Sequence, residues 1–451
     1  MEKQIEYYGE WYLPGKRGDK IQGILTIADG NITLKLLGAF SFPGNPLAYR
    51  SFPIILGYLY NNKEVTLVDC LFGGKTTSLP GKSHSAYQPY LVLIGCKINT
   101  DEKIRLYSAT ASFDYLTKWV SIFGHNIELK SNTFHEFDIK YKNPESIAFK
   151  IKKDVKGKFI FTHTIPLQPN PKIQIEQETF LKIISSRRNL HYKEFISLIK
   201  QFHKFLTLGI QEKTILTSLS FTMSRRKDSE VKAFIYTGQK EIKTKDLNHH
   251  DFLFTYKAVE NEFESIICRW YSDQRLDPII DSLDCYHHVG EHDENRFLDI
   301  IQGLESFHRR KLEDTEALIK DFNQRLSTVI DPLLESDKKW IRDLLEYKYE
   351  PSLRKRLREL LQKENFEIIE KVVPKNNRKK FIDQVANSRN YYTHYNENLK
   401  KHSIPASKLS RVTRLLYVIL LCHVLHEIGF SIDLINELVS KKEYKFVNRF
   451  D

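Results

Sequence analysis

The chain has 451 residues, with 69 Lys and Arg against 57 Asp and Glu, and a formal net charge of +12. That length exceeds one ordinary hydrophobic core and implies two or three domains, while the positive balance favours an anionic partner, nucleic acid ahead of a membrane surface. Cys70, Cys96, Cys268, Cys285 and Cys422 are dispersed without a C-x-x-C pair, which excludes a disulfide frame or a cysteine zinc site and reads as free thiols of a reducing cytoplasm.

The opening MEKQIEYYGEWYLPG has no apolar h-region, so no signal peptide is expected. Gly23 to Ile27 and Ile32 to Leu37 flank Asp29-Gly30, a hairpin signal because both residues tolerate positive φ. Strands are predicted at Ile54 to Tyr60, Val65 to Cys70, Tyr90 to Cys96, Ile104 to Ala109 and Phe137 to Tyr141, a density that argues for an antiparallel sandwich or barrel-like domain. Between them Phe72 to Pro89 is rich in Gly, Ser, Thr and Pro. It is expected as a long surface loop and is the candidate contact for a ligand, although it holds neither a P-loop nor a dinucleotide fingerprint.

Strand character continues at Ile147 to Lys152, Lys158 to His163 and Ile173 to Gln177. The period then changes: Phe195, Ile199, Phe202 and Leu206 predict an amphipathic helix over Tyr192 to Leu208. Ile215 to Met223 and Val231 to Thr237 return to strand composition around Ser224-Arg225-Arg226-Lys227, a solvated basic turn or a phosphate contact.

DCYHHVGEHDEN, from Asp284 to Asn295, reads as a polar linker. His287, His288, His292 and Asp293 lack the HExxH spacing and any cysteine partner, so no metal or other cofactor is expected. Residues 1–284 form a β-rich region, with two subdomains of about 1–177 and 178–284, and residues 295–451 an all-helical one, an α+β chain overall. Phe297, Ile301, Leu304 and His308 mark the first helix of the second region, Leu318, Phe322, Leu326 and Val329 the next. Leu353, Leu357, Leu360 and Leu361 make a third, begun by Pro351 at its permitted first turn. Pro374 and the basic run Lys375 to Lys380 then interrupt the pattern; Arg378, Lys379 and Lys380 are candidates for an RNA backbone or a solvated loop. The apolar run Leu415 to Val424 is too short to span a bilayer and reads as a buried helix.

The stretch FIDQVANSRNYYTHY, from Phe381 to Tyr395, carries the chemistry. Phe381 and Val385 predict a helix whose apolar stripe continues into Arg389, and a guanidinium there must be paired, face a partner chain or hold an anion. Asn390 and His394 are four apart and share a face. A fixed cation with a planar donor fork, an amide and an imidazole able to exchange a proton suit attack on a phosphodiester. Glu305 and His308, three apart on the first helix, form an intrahelical pair or help the site, Glu305 by orienting Arg389. Tyr391 and Tyr395 are placed to stack on RNA bases, whereas Tyr392 reads as packing.

Arg389-Asn390 followed by His394, with a long apolar helix beyond, resembles the R-N-x-x-x-H signature of HEPN ribonucleases. FLDIIQGLESFHRRKL from Phe297 and LLYVILLCHVLHEIGF from Leu415 resemble the first and last helices of the ApeA-like HEPN domain. WYLPG from Trp11 and GILTIADGNITLKLLGAF from Gly23 resemble the ApeA N-terminal domain. The resemblance implies a bacterial anti-phage protein acting by abortive infection, with a sensing N-terminal region and a C-terminal HEPN nuclease that works as a homodimer with a composite site. The expected function is a cytoplasmic, metal-independent endoribonuclease without membrane attachment, cutting an RNA such as tRNA after a phage-derived ligand is sensed. His394 would be the general acid or base, Arg389 the stabiliser of the phosphorane and Asn390 a positioning group. The rival readings are a catalytically silent RNA- or nucleotide-binding module and a defence scaffold.

Overall fold

The structure, a computed structural model, describes residues 4–28, 30–40, 51–78, 82–130, 137–165, 174–187, 189–224, 230–238, 245–287, 292–345, 348–362, 366–395 and 397–443. Asp29, Arg225, Arg226, Lys227 and His288 lie outside them. Residues 1–206 with 214–249 form one compact unit, and residues 207–213 with 250–451 a second.

In the first unit, β1 (Ile5–Tyr12), β2 (Ile21–Ala28), β3 (Asn31–Leu36), β4 (Phe52–Leu59), β5 (Glu64–Ser78) and β6 (Lys82–Ile94) close an antiparallel barrel in the order β6-β3-β2-β1-β4-β5, with β5 returning to β6. Closure leaves no open edge among these strands. Alternation sets the lining: Leu25, Leu34, Ile55, Leu67 and Val92 point inward around Trp11, which is fully buried. Gly57 is required there, because a Cβ at that position would stand 2.4 Å from the Trp11 ring. The stretch Phe72 to Pro89 is not the long loop expected from its composition. Most of it belongs to β5 and β6, paired from Leu71 opposite Gln88 to Ser78 opposite Lys82. Thr76, Thr77 and Tyr87 favour extended backbone, and the Gly pair is absorbed by an irregularity between Phe72 and Gly74. The ligand contact placed on that loop therefore has no long loop to rest on.

Beyond the barrel come β7 (Arg105–Leu106), β8 (Ser108–Phe113), α1 (Leu116–Val120), β9 (His125–Leu129), β10 (Phe137–Tyr141), β11 (Ile147–Lys152), β12 (Val155–Thr164), β13 (Glu176–Ser185), β14 (Leu190–His191), α2 (Tyr192–Ile210), β15 (Leu216–Thr222) and β16 (Glu230–Ile235). The order β11-β12-β13-β8-β15-β16-β6 makes β6 common to barrel and second sheet. In that sheet β13 pairs with both β12 and β8. Trp119 of α1 meets Phe159, Phe202 and Phe205 edge-on, with centroids 6.0 to 6.3 Å away, which fastens α2 to the sheet.

The second unit holds α3 (Phe263–Ser272), α4 (Asp277–Cys285), α5 (Asp293–Lys311), α6 (Thr315–Ile330), α7 (Glu335–Leu345), α8 (Leu353–Gln362), α9 (Glu367–Val372), α10 (Arg378–His394), α11 (Glu397–Lys400), α12 (Ala406–Glu427) and α13 (Ile432–Glu443). In this second compact unit α3 and α4 stand with the helices that follow, and α4 packs on α5. Gly303 of α5 explains how closely its neighbours approach: a Cβ there would lie 2.7 Å from Leu420 of α12 and 2.9 Å from Ser282 of α4. The helix α12 has the length and composition to cross a bilayer, longer than its apolar run alone implied. Every residue from Leu415 to Leu425 is nevertheless buried, the pattern of a core helix.

The predicted stripe on α6 does not enter the core. Only Ile330 of that helix is buried and no described residue of α7 is, leaving Ile319, Val329, Leu333, Leu334, Trp340 and Leu344 exposed.

Candidate active site

The helix α10 is positioned by its buried face, Phe381, Ile382, Val385, Ala386, Ser388 and Tyr392, which packs against α5 and α8. Side chains then fix its rotation. Arg354 of α8 reaches Asp383 at 2.8 Å and donates to Asn387 Oδ1 at 2.7 Å, one turn on the N-terminal side of the motif. Ser388 Oγ accepts from the Ile404 N–H at 2.7 Å, and Tyr392 donates to the Ile404 carbonyl at 3.4 Å. Burial pushes the Tyr392 phenol above its ordinary value, which keeps it a donor.

Arg389 leaves this buried face at its edge. Its Nη2 lies 3.7 Å from Glu305 Oε2 on α5, and its Nη1 donates to Asn390 Oδ1 at 3.3 Å. Of the readings open for an arginine on that stripe, pairing is the one present, with a third of the side chain still exposed. His394 ends α10 and is exposed, with no hydrogen bond among the described residues. Tyr395 follows in the left-handed region, φ 48°, which stops the helix and turns its ring outward at 68 % exposure. Tyr391 contacts Tyr395 edge-on, so an aromatic ledge adjoins the imidazole.

Four candidates, His308, Arg378, Lys379 and Lys380, lie outside this patch. His308 is 1 % exposed, and its ring nitrogens face Glu359 Oε2 at 2.5 Å and Glu313 Oε2 at 3.4 Å, so it neither pairs with Glu305 nor reaches an RNA. Its place on the apolar stripe of α5 turns it into the core, where each nitrogen must be satisfied. Arg378 is largely covered and held by Glu370 at 2.8 Å, at the opposite end of α10 from the motif. Lys379 and Lys380 are exposed beside it, about 20 Å from His394 by helical rise.

Sequence reasoning missed Arg356. It is 2 % exposed, and its guanidinium meets Glu313 at 3.3 Å, Glu350 at 3.4 Å, the Pro351 carbonyl at 2.9 Å and the Glu305 carbonyl at 3.1 Å. The last bond ties this buried network to the backbone of the residue that faces Arg389. A signal existed: Arg356 falls on the stripe of Leu353, Leu357 and Leu360.

His287 donates to or accepts from the Tyr417 hydroxyl at 3.0 Å, and among the described residues no group of three His, Cys, Asp or Glu converges as a metal site would require.

Residues 6–270 match the family model described as ApeA N-terminal domain 1, and residues 298–434 match the one described as Apea-like HEPN. No curated protein and no solved structure matches the chain.

Proposed function

The chain belongs to the ApeA family of HEPN-domain defence proteins, and from that premise we propose that it is a cytoplasmic endoribonuclease that cuts RNA, tRNA among the candidates, after sensing a phage-derived ligand. The observation that carries the reading is the exposed end of α10. There Arg389, steered by Glu305 and bonded to Asn390, stands one to two turns from an uncommitted imidazole at His394. His394 removes or returns the proton of a ribose 2′-hydroxyl or leaving 5′-oxygen, Arg389 stabilises charge on the phosphorane, and Asn390 positions a phosphate oxygen. An imidazole and a guanidinium supply base, acid and charge, so cleavage is expected to persist in EDTA and to leave 2′,3′-cyclic phosphate and 5′-hydroxyl ends. Purified full-length protein on total RNA tests this; 5′-phosphate products or a strict magnesium requirement would overturn it. The same assay with and without extract of infected cells tests the sensor, since full activity in the absence of any phage component would remove the N-terminal unit's gating role.

Helical geometry bears on the oligomer. Arg389 and His394 diverge by about 140° around α10, so one chain presents them poorly to the same phosphate. A two-fold pairing offers Arg389 of one copy with His394 of the other. The α6 and α7 helices fit that partner. Leu334, just before α7, is 74 % exposed and Trp340 on it 64 %, an apolar surface carried by an 11-residue helix too short to persist well alone. Their charges balance, two acidic against two basic on α6 and three against three on α7, in a chain of net +12, which suits a second copy better than a polyanion. Leu334→Glu with Trp340→Glu should shift the protein to monomer at micromolar concentration by light scattering, an expected loss of at least about tenfold in dimer affinity; an unchanged dimer would remove these helices from the interface.

A further inference from the structure

We propose that the cavity of about 780 Å³ at the N-terminal end of α10 binds a ligand carrying phosphate groups beside an apolar moiety, the chemistry of a nucleotide. Its volume lies within the range of roughly 300–1,000 Å³ found for small-molecule sites. The floor is apolar, made by Leu361, Phe366 and Ile382, and Arg358, Lys375 and Lys379 stand on the walls.

The charge balance of the lining selects the ligand. Its three carboxylates are already engaged: Glu370 accepts from Arg378 at 2.8 Å and from the Lys375 N–H at 3.1 Å, Asp383 meets Arg354 at 2.8 Å, and Glu367 faces Lys371 at 3.7 Å. The side chains of Arg358, Lys375 and Lys379, by contrast, have no ion pair or hydrogen bond among the described residues. Asn377 gives the first turn of α10 no side-chain cap, so the helix adds its own positive end to the same place. Three uncompensated cations around a helix N-terminus recruit an anion with several charged oxygens, and the apolar floor receives its uncharged part.

The site is separate from the motif. It lies at the start of the helix whose last residue is His394, about 24 Å away by helical rise. Two sources share the required chemistry, a free nucleotide and a phosphate stretch of an RNA strand. The inference does not depend on cleavage, so binding is measured on full-length protein carrying His394→Ala.

Two probes are titrated, ATP by calorimetry and a short fluorescent oligoribonucleotide by anisotropy, against the same protein with Arg358→Gln and Lys379→Gln added. The double change is expected to raise Kd at least tenfold for one probe or both and to flatten the salt dependence. Loss for ATP alone assigns a free nucleotide, and loss for the oligomer alone assigns an RNA strand. If neither probe binds below millimolar concentration, or if the double change leaves both affinities intact, the site is not there. On protein lacking both substitutions, the effective probe should protect Lys375 and Lys379 from acylation; equal labelling with and without it would also overturn the assignment.

Discussion

His394→Ala is expected to lower RNA cleavage by about 10²–10⁴-fold, the range contributed by a positioned general acid or base, while thermal stability and oligomeric state stay near those of the unsubstituted protein. The second half of that expectation follows from exposure: the imidazole ends α10, is exposed, and has no hydrogen bond or ion pair among the described residues. Arg389→Ala should cost about 10²–10³-fold, the usual price of one donor aimed at developing charge. Arg389→Lys should recover only part of it, because an ammonium lacks the planar fork. A loss below about tenfold for His394→Ala would remove its acid-base role. The two inactive variants also test each other. If the site is built across a two-fold axis, mixing Arg389→Ala with His394→Ala under subunit exchange assembles one intact site per mixed dimer. Activity should return to roughly a quarter of the original. No recovery would put both groups of a working site in one chain.

Legibility in the sequence tracked how local the cause was. The α10 helix and its motif were readable because Phe381, Val385 and Tyr392 impose a helical stripe and Arg389 breaks it with a charge. Barrel strands were readable where turn residues frame alternation, as around Gly30. The stretch after Phe72 misled because Gly, Ser and Thr describe a loop in isolation, whereas β5 and β6 have each other as partners, a non-local cause. The same limit applies to the helices on either side of the polar linker. Nothing in DCYHHVGEHDEN reveals that α4, just before it, packs on α5, just after it. At the site, spacing put Glu305 and His308 on one face of α5, yet their destinations differ, Arg389 for one and for the other the carboxylates of buried Glu313 and partly exposed Glu359. Which way a side chain turns at the margin of a stripe depends on the residues opposite, and here Glu359 and Arg356 of α8 lie 51 residues from the α5 groups that they meet.

Arg356→Ala should be the most damaging single change in the helical unit, at about 3–5 kcal/mol, the cost typical of removing one partner from a buried charge network. The charges it leaves behind decide the size. Glu313 has a side chain 2 % exposed and would keep only His308 at 3.4 Å, while the Glu305 and Pro351 carbonyls would lose their donor. Arg356→Met fills the volume and still strands Glu313, so it should rescue little; Arg356→Lys restores charge but cannot reach all four acceptors and should fall between. Chemical denaturation followed by circular dichroism reads the series. A second readout separates stability from chemistry: at a temperature where Arg356→Lys remains folded, a displaced Glu305 backbone would loosen the carboxylate that faces Arg389, and cleavage should fall further than the folded fraction does. If Arg356→Ala costs less than about 1 kcal/mol, the network is solvated and the buried-charge account of α5 and α8 fails. If stability falls as expected but cleavage by the folded fraction is untouched, the bond from Arg356 to the Glu305 carbonyl holds the fold without bearing on Arg389.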